Sequence, residues 1–264
     1  MTIHIDTSTT PYLMPENAID GNLDITQFSV GDMLRAGLAL RQVVREAESL
    51  EAAAELVVRY FYDSCVDRAT GQRTCALVRF YKTHRLGGLQ LGDRQFAENQ
   101  LGSVHLDPDM RCLALLGTAG DEQAWNDRRH SRAHRAIPLQ SADGVRSAPM
   151  IAQLIEQMGL DIESVVRGNA PPARSGDAPT YEVFHVEQAL GSPHIPAQAE
   201  FVGRYGIASV VGFGGLLRSG ELFAVILFAR SHIPARSAAR FRTIALDVRS
   251  ALFPLTEDRT WKTG

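Results

Sequence analysis

The sequence predicts an α+β fold built on an antiparallel sheet, and three stretches carry that expectation. Residues 206–254 read strand, tight turn, strand and closing amphipathic helix. Residues 49–81 read helix, turn and strand. Between these two blocks lie more than a hundred residues that alternate short apolar runs with polar and glycine-rich segments.

Taken in order, residues 1–27 are polar and contain Pro11, Pro15 and Gly21; residues 1–29 are therefore expected as a flexible N-terminal arm. A helix is expected from about Val30, with Leu34, Leu38 and Val44 on an interrupted apolar stripe. Ser49 has the chemistry of an N-cap, because its hydroxyl accepts from an amide that a first turn leaves unpaired. The helix it restarts puts Ala53, Leu56, Val57 and Phe61 on one side. Residues 67–73, with Gly71, turn into a strand starting at Cys75. On that strand alternation places Ala76, Val78 and Phe80 on one face, and Cys75, Leu77, Arg79 and Tyr81 on the other.

Residues 84–105 are glycine-rich, with one short helix expected around Phe96 and Leu101. Residues 110–116 read as a strand ending at Gly117, and residues 150–158 as a helix stopped by Gly159. Residues 168–179 (Gly-Asn-Ala-Pro-Pro-Ala-Arg-Ser-Gly-Asp-Ala-Pro) read as a loop, and 180–186 alternate as a half-buried strand should. The run Ser209-Val-Val-Gly-Phe-Gly-Gly-Leu-Leu217 and the wholly apolar Leu222-Phe-Ala-Val-Ile-Leu-Phe-Ala229 flank a polar turn, Arg218-Ser-Gly-Glu221. Pro234 opens the last helix, whose Phe241, Ile244, Ala245, Val248 and Leu252 form one stripe before Pro254.

The order strand, Ser-Gly-Glu turn, strand and closing helix resembles the C-terminal half of a GAF domain, the small-molecule-sensing fold related to PAS. Residues 49–62 and 75–81 likewise resemble its opening helix and first strand. The wording of 207–230 is similar to GAF-like sensory regions that precede bacterial histidine kinases. The resemblance covers roughly a third of the chain. It implies a GAF-like central antiparallel sheet with N- and C-terminal helices on one face and a long helix and loop insertion, about 84–180, on the other. The domain would run 30–254 with a C-terminal tail at 255–264. The implied function is non-enzymatic small-molecule sensing in bacterial signal transduction. The implied partners are a small-molecule ligand, a second copy joined through the terminal helices at Leu34, Leu38 and Val44, and a histidine kinase or other signalling protein. No particular cofactor is implied.

Composition narrows the alternatives. The 264 residues are 45% hydrophobic with formal net charge −3, so nothing overall calls for nucleic acid or an anionic membrane. The run 222–229 is far short of the ~20 apolar residues that span a bilayer, and no secretory signal is recognised at the start. Three cysteines fit a reducing compartment better than a disulfide framework, and a cytoplasmic protein is expected.

The densest polar cluster is Trp125-Asn-Asp-Arg-Arg-His-Ser-Arg-Ala-His-Arg135, with four arginines and two histidines. Guanidinium forks match carboxylate and phosphate, and an indole supplies a stacking face. A solvated charge run is the competing reading. His130 and His134 are four apart, but the flanking arginines oppose a cation, so no metal site is expected. The pocket residues expected are Tyr181, His185 and Phe213 from the sheet, and Trp125, Arg128 and His134 from the insertion. No catalytic residue is assigned. The rival readings are a thiol redox enzyme on the same scaffold, similar to methionine sulfoxide reductases and acting through Cys75 or Cys112, and a ligand-free adaptor that docks an acidic partner on Arg128, Arg129, Arg132 and Arg135. Strand cysteines beside Leu and Val are more often small buried hydrophobes.

Overall fold

Six strands form one antiparallel sheet in the order β3-β2-β1-β6-β5-β4. They are β1 (Cys75–Arg85), β2 (Arg111–Gly120), β3 (Ala136–Pro138), β4 (Phe184–Val186), β5 (Ser209–Leu216) and β6 (Leu222–Ala229). The computed structural model describes residues 21–102, 106–168, 183–255 and 259–262. The hairpin of β5 and β6 turns where expected, with Gly220 at φ 87°, a conformation that disfavours a side chain.

One face carries α1 (Val30–Val44), α2 (Leu50–Ser64) and α8 (Phe241–Leu252). Ser29 and Asp32 start α1 with reciprocal hydrogen bonds between side chain and backbone, and Ser49 caps α2 as expected. The stripe Phe241, Ile244, Ala245, Val248 and Leu252 is buried on this face, against Phe61 and Phe213. Pro234 caps a separate short helix, α7 (Ala235–Ala238), so the final helix starts later than Pro234 suggests. Gly117 lets α2 lie close on β2, since a Cβ there would meet the Ala54 carbonyl oxygen at 2.6 Å.

Several expectations are corrected here. The described stretch of the N-terminal arm belongs to the core: Leu23, Ile25 and Phe28 are fully buried, and Phe28 stacks on Phe241 at 4.8 Å. Val44 is a core residue while Leu34 and Leu38 face outward, because α1 buries Ala36, Leu40 and Val43 instead. A register shift between Cys75 and Leu77 turns Cys75 to the helix side with Val78 and Phe80, and sends Ala76 to the opposite core with Leu77. β2 continues beyond Gly117 to Gly120.

The insertion covers the other face with a second core of its own. α4 (Ala142–Arg146), α5 (Pro149–Gln157) and α6 (Ile162–Arg167) place Val145, Leu154, Ile155, Ile162 and Val165 against a sheet face that includes Leu77, Tyr81 and Ile226. Residues 195–207, with a π-helical turn at Gln198–Gly203, complete this cover through Ile195, Val202 and Ile207. The helix expected around Phe96 is α3 (Leu91–Leu101), which packs at the β3 edge.

Candidate functional site

Backbone register lays out the insertion-side face row by row. One row runs Thr118, Arg79, Ile226, Gly212, Phe184 across five strands. Its far end is filled: Gly212 lies beneath Leu154 and beside Phe184, so the tight approach that its glycine permits is used by the chain's own side chains.

The near end is different. Arg79 stands in the middle of an apolar central strand, and among the described residues it donates only to hydroxyls. Its Nη1 reaches Tyr81 Oη at 3.1 Å and its Nη2 reaches Ser131 Oγ at 3.4 Å. Its Nε is buried with no partner. Thr118, its direct cross-strand neighbour, is 3% exposed, and its hydroxyl also has no partner. Directly facing residues have Cβ atoms about 5 Å apart. Two unpaired polar groups thus share one small patch of a buried face, where each carries an unreturned desolvation cost.

The segment 121–135 roofs this patch by wrapping the edge of β2 where β3 no longer pairs with it. Asn126 anchors the wrap, accepting from Gly120 N and donating to Gly120 O. Ser131 then bonds Arg79 while donating to Ala133 O, and His134 follows at φ 59°. His134 is exposed as a residue, yet partial desolvation of its ring, with the nearby Arg79 charge second, lowers its pKa below the ordinary value. The imidazole therefore resists adding a second cation beside the guanidinium.

The six residues expected from the sequence do not converge. Trp125 and His134 lie on the insertion side, Trp125 packing on Tyr205 at 4.6 Å and near Phe201. Arg128 crosses to the helix side, where it is an internal cross-link. Its Nε meets Glu51 at 2.5 Å, Nη1 meets Asp93 at 2.7 Å, Nη2 meets Gln90 at 2.5 Å, and Trp261 lies 4.9 Å from its guanidinium carbon. Phe213 is fully buried against Phe61 and Phe241 in the helix-side core. His185 shares a register row with Val211 of that core, and its Nε2 donates to Ile233 O at 2.8 Å. Tyr181 lies outside the described residues. Arg79, Tyr81, Thr118 and Ser131, which form the patch described above, were not among the six. The available signal was Arg79 itself, a charge inside a run of β-formers.

Elsewhere among the described residues one more buried polar side-chain atom, Ser64 Oγ at the end of α2, has no partner. An open groove of about 580 Å³ between Asp63, Arg73, Asp121 and Arg230 holds two ion pairs, Arg73–Asp63 at 2.9 Å and Arg230–Asp121. The three cysteines are buried. The Cys65 thiol is pushed well up by its contact with Cys75 and by burial, and that of Cys112 is pushed up to about 12 by burial. The raised pKa of Cys112 and the complete burial of Cys75 oppose the nucleophilic role that the redox reading assigns to them. Of the four arginines that an acidic partner would use, Arg128 and Arg135 are spent on Asp93. Among the described residues no group of acidic, histidine and cysteine side chains is arranged for a metal, and no helix is long and apolar enough to cross a membrane.

An antiparallel sheet clasped on one face by its first and last helices, with a long insertion on the other, is the layout that the sequence resemblance implies. The fold is GAF-like. Among solved structures, the chain is similar to the GAF domain of a phosphoenolpyruvate-protein phosphotransferase from Coxiella burnetii. Identity there is 13%, with 83% of this chain and 92% of that one covered at a TM-score of 0.45. It is also similar to the phycoerythrobilin-bound GAF domain of a cyanobacterial phytochrome, at 12% identity, 84% and 94% coverage and a TM-score of 0.42. A third is the photosensory core module of the Stigmatella aurantiaca phytochrome, at 13% identity, 85% and 36% coverage and a TM-score of 0.34. No protein-family model and no curated protein matches the chain.

Proposed function

We propose that this chain is a non-enzymatic, GAF-like sensory module of bacterial signal transduction that responds to a small molecule bound on the insertion side of its sheet. The observation that carries this reading is the buried pair Arg79 Nε and Thr118 Oγ1, two facing polar groups left without partners. Buried polar groups are otherwise almost always hydrogen-bonded, so a pair of orphans under one roof points to an occupant. Ligand binding would select one arrangement of the wrapping segment 121–135, provided that it binds the alternatives unequally.

The output surface is the outer face of α1. Val30, Leu34 and Leu38 recur at four-residue spacing and are all exposed, as are Leu246 of the adjoining α8 and Phe253 after it. This face offers the terminal-helix seam for a second copy, and the signal would pass through that dimer or on to a histidine kinase or other partner. Native mass spectrometry of freshly purified protein, followed by thermal unfolding against a small-molecule panel, tests the sensory reading. The expected result is a bound compound whose addition raises Tm in the parent protein and not in Thr118→Val. Absence of any stabilising compound, together with unchanged oligomeric state across the panel, refutes it.

A further inference from the structure

The geometry points to a small monocarboxylate as the ligand of the Arg79–Thr118 pair, an inference that rests on the sensory reading and names its ligand class. Three observations converge on it. The first is the polarity of what is left open. Arg79 Nε–H can only donate, and the Thr118 hydroxyl is free to do so. Tyr81 Oη already accepts from Arg79 Nη1, which leaves its hydrogen pointing elsewhere. An occupant must therefore supply acceptors.

The second is charge. Arg79 has no carboxylate within ion-pair distance among the described residues. The buried Arg128 of the same molecule, by contrast, is matched by Glu51 and Asp93. A guanidinium held under a roof beside a partly desolvated imidazole is completed by an anion, not by a neutral acceptor.

The third is shape and size. With Nη1 and Nη2 tied to Tyr81 and Ser131, the open Nε edge and one facing hydroxyl suit a planar, singly charged group better than a tetrahedral dianion, which needs more donors. The neighbouring positions are Ile226, Leu77 and Tyr81, and neither Arg79 Nε nor Thr118 Oγ1 is exposed, so the occupant's organic part is small and apolar and enters only as the 121–135 roof shifts.

The test uses the full chain dialysed into a buffer free of carboxylates. Thermal unfolding is followed while sodium acetate or sodium propionate is titrated, with sodium chloride, sodium phosphate and acetamide in parallel at matched ionic strength. A saturable rise in Tm with acetate and propionate, and none with chloride, phosphate or acetamide, supports the inference. Thr118→Val and Arg79→Gln should each weaken the response at least tenfold, while Thr118→Ser, which restores the hydroxyl, should keep it. An equal carboxylate response in Thr118→Val and Arg79→Gln overturns the site. A saturable response to acetamide or to phosphate but not to carboxylates overturns the ligand class and leaves the sensory reading standing. Silence toward all five probes overturns the inference. Silence combined with no co-purifying molecule in the native mass spectrum ends the sensory reading as well.

Discussion

Replacing Thr118 by Val removes a buried hydroxyl that bonds nothing and puts a methyl in nearly the same volume. In most proteins the loss of a buried polar group is destabilising because a partner is orphaned. Here no partner exists in the unliganded protein, so the usual sign reverses. An unsatisfied buried group costs about 1–3 kcal/mol, and Val is at least as good a strand former as Thr. The ligand-free Thr118→Val protein should therefore be more stable by that amount. For a chain of this size 1 kcal/mol moves Tm by about 2–4 °C, so a rise of about 2–12 °C is expected. Urea unfolding of dialysed protein supplies the free energy, with an unchanged m-value showing that the comparison is fair. A loss of 1 kcal/mol or more would refute the reasoning, since it would mean that the hydroxyl is satisfied internally. A gain in stability coupled to a loss of ligand response is the pattern expected where a binding site is kept at the expense of the fold.

Other expectations follow from the same coordinates. Arg128→Ala strands Glu51 and Asp93 without their buried counter-charge, and should cost about 3–5 kcal/mol in urea unfolding; a cost below 1 kcal/mol would show that Arg135 compensates. Leu34→Glu with Leu38→Glu should leave the fold of one chain intact, because both side chains are exposed in it, and should convert any dimer the parent forms to a monomer in light scattering, with Tm falling only by what association contributed; a monomeric parent protein would remove the premise. The His134 ring should titrate below 6.5 by NMR, as partial desolvation and then Arg79 favour its neutral form. With the folded pKa depressed, its stabilising contribution is present above 6.5 and lost as pH falls through the folded value. His84 is shifted the same way, so the difference between parent and His134→Gln isolates the effect; a ring titrating at or above 6.5 would contradict it.

The residues that were legible from the sequence are those where local chemistry and tertiary packing agree. The hairpin of β5 and β6, the Ser49 cap and the last helical stripe are specified within a few residues of themselves, and each is found where expected. Cys75 changed faces because a one-residue register shift reverses every assignment beyond it, and nothing local marks that shift. β3 spans three residues and α6 six, too short for a periodic pattern to accumulate. The six expected site residues are dispersed for a further reason. Polar density drew attention to Trp125–Arg135, yet the arginine with the most to bind is Arg79, alone among apolar neighbours in a central strand. Arg128 read as an open anion-binding residue because its partners, Glu51, Gln90 and Asp93, are 35 or more positions away in sequence.

That misreading of Arg128 bears on how a signal would leave the site. Arg128 and Ser131 are three residues apart on the wrapping segment, but they engage opposite sides of the sheet. Ser131 touches Arg79 on the insertion side, while Arg128 plugs into Glu51 at the start of α2 on the helix side. Glu51 in turn accepts from Lys262 N at 2.8 Å and donates its own amide to Thr260 O at 2.8 Å, and Trp261 between them donates to Gly88 O at 3.0 Å. An anion seated on Arg79 Nε would shift the roof at Ser131 on one side of the sheet and load the Arg128 cross-link on the other, with the tail at 260–262 attached. Hydrogen exchange should then report the ligand at two places, the amides of 128–135 and those of 51–53. Arg128→Ala should abolish the second change while sparing carboxylate binding. If the amides of 51–53 still respond to acetate in Arg128→Ala, coupling does not run through this cross-link and the terminal helices are reached by another route.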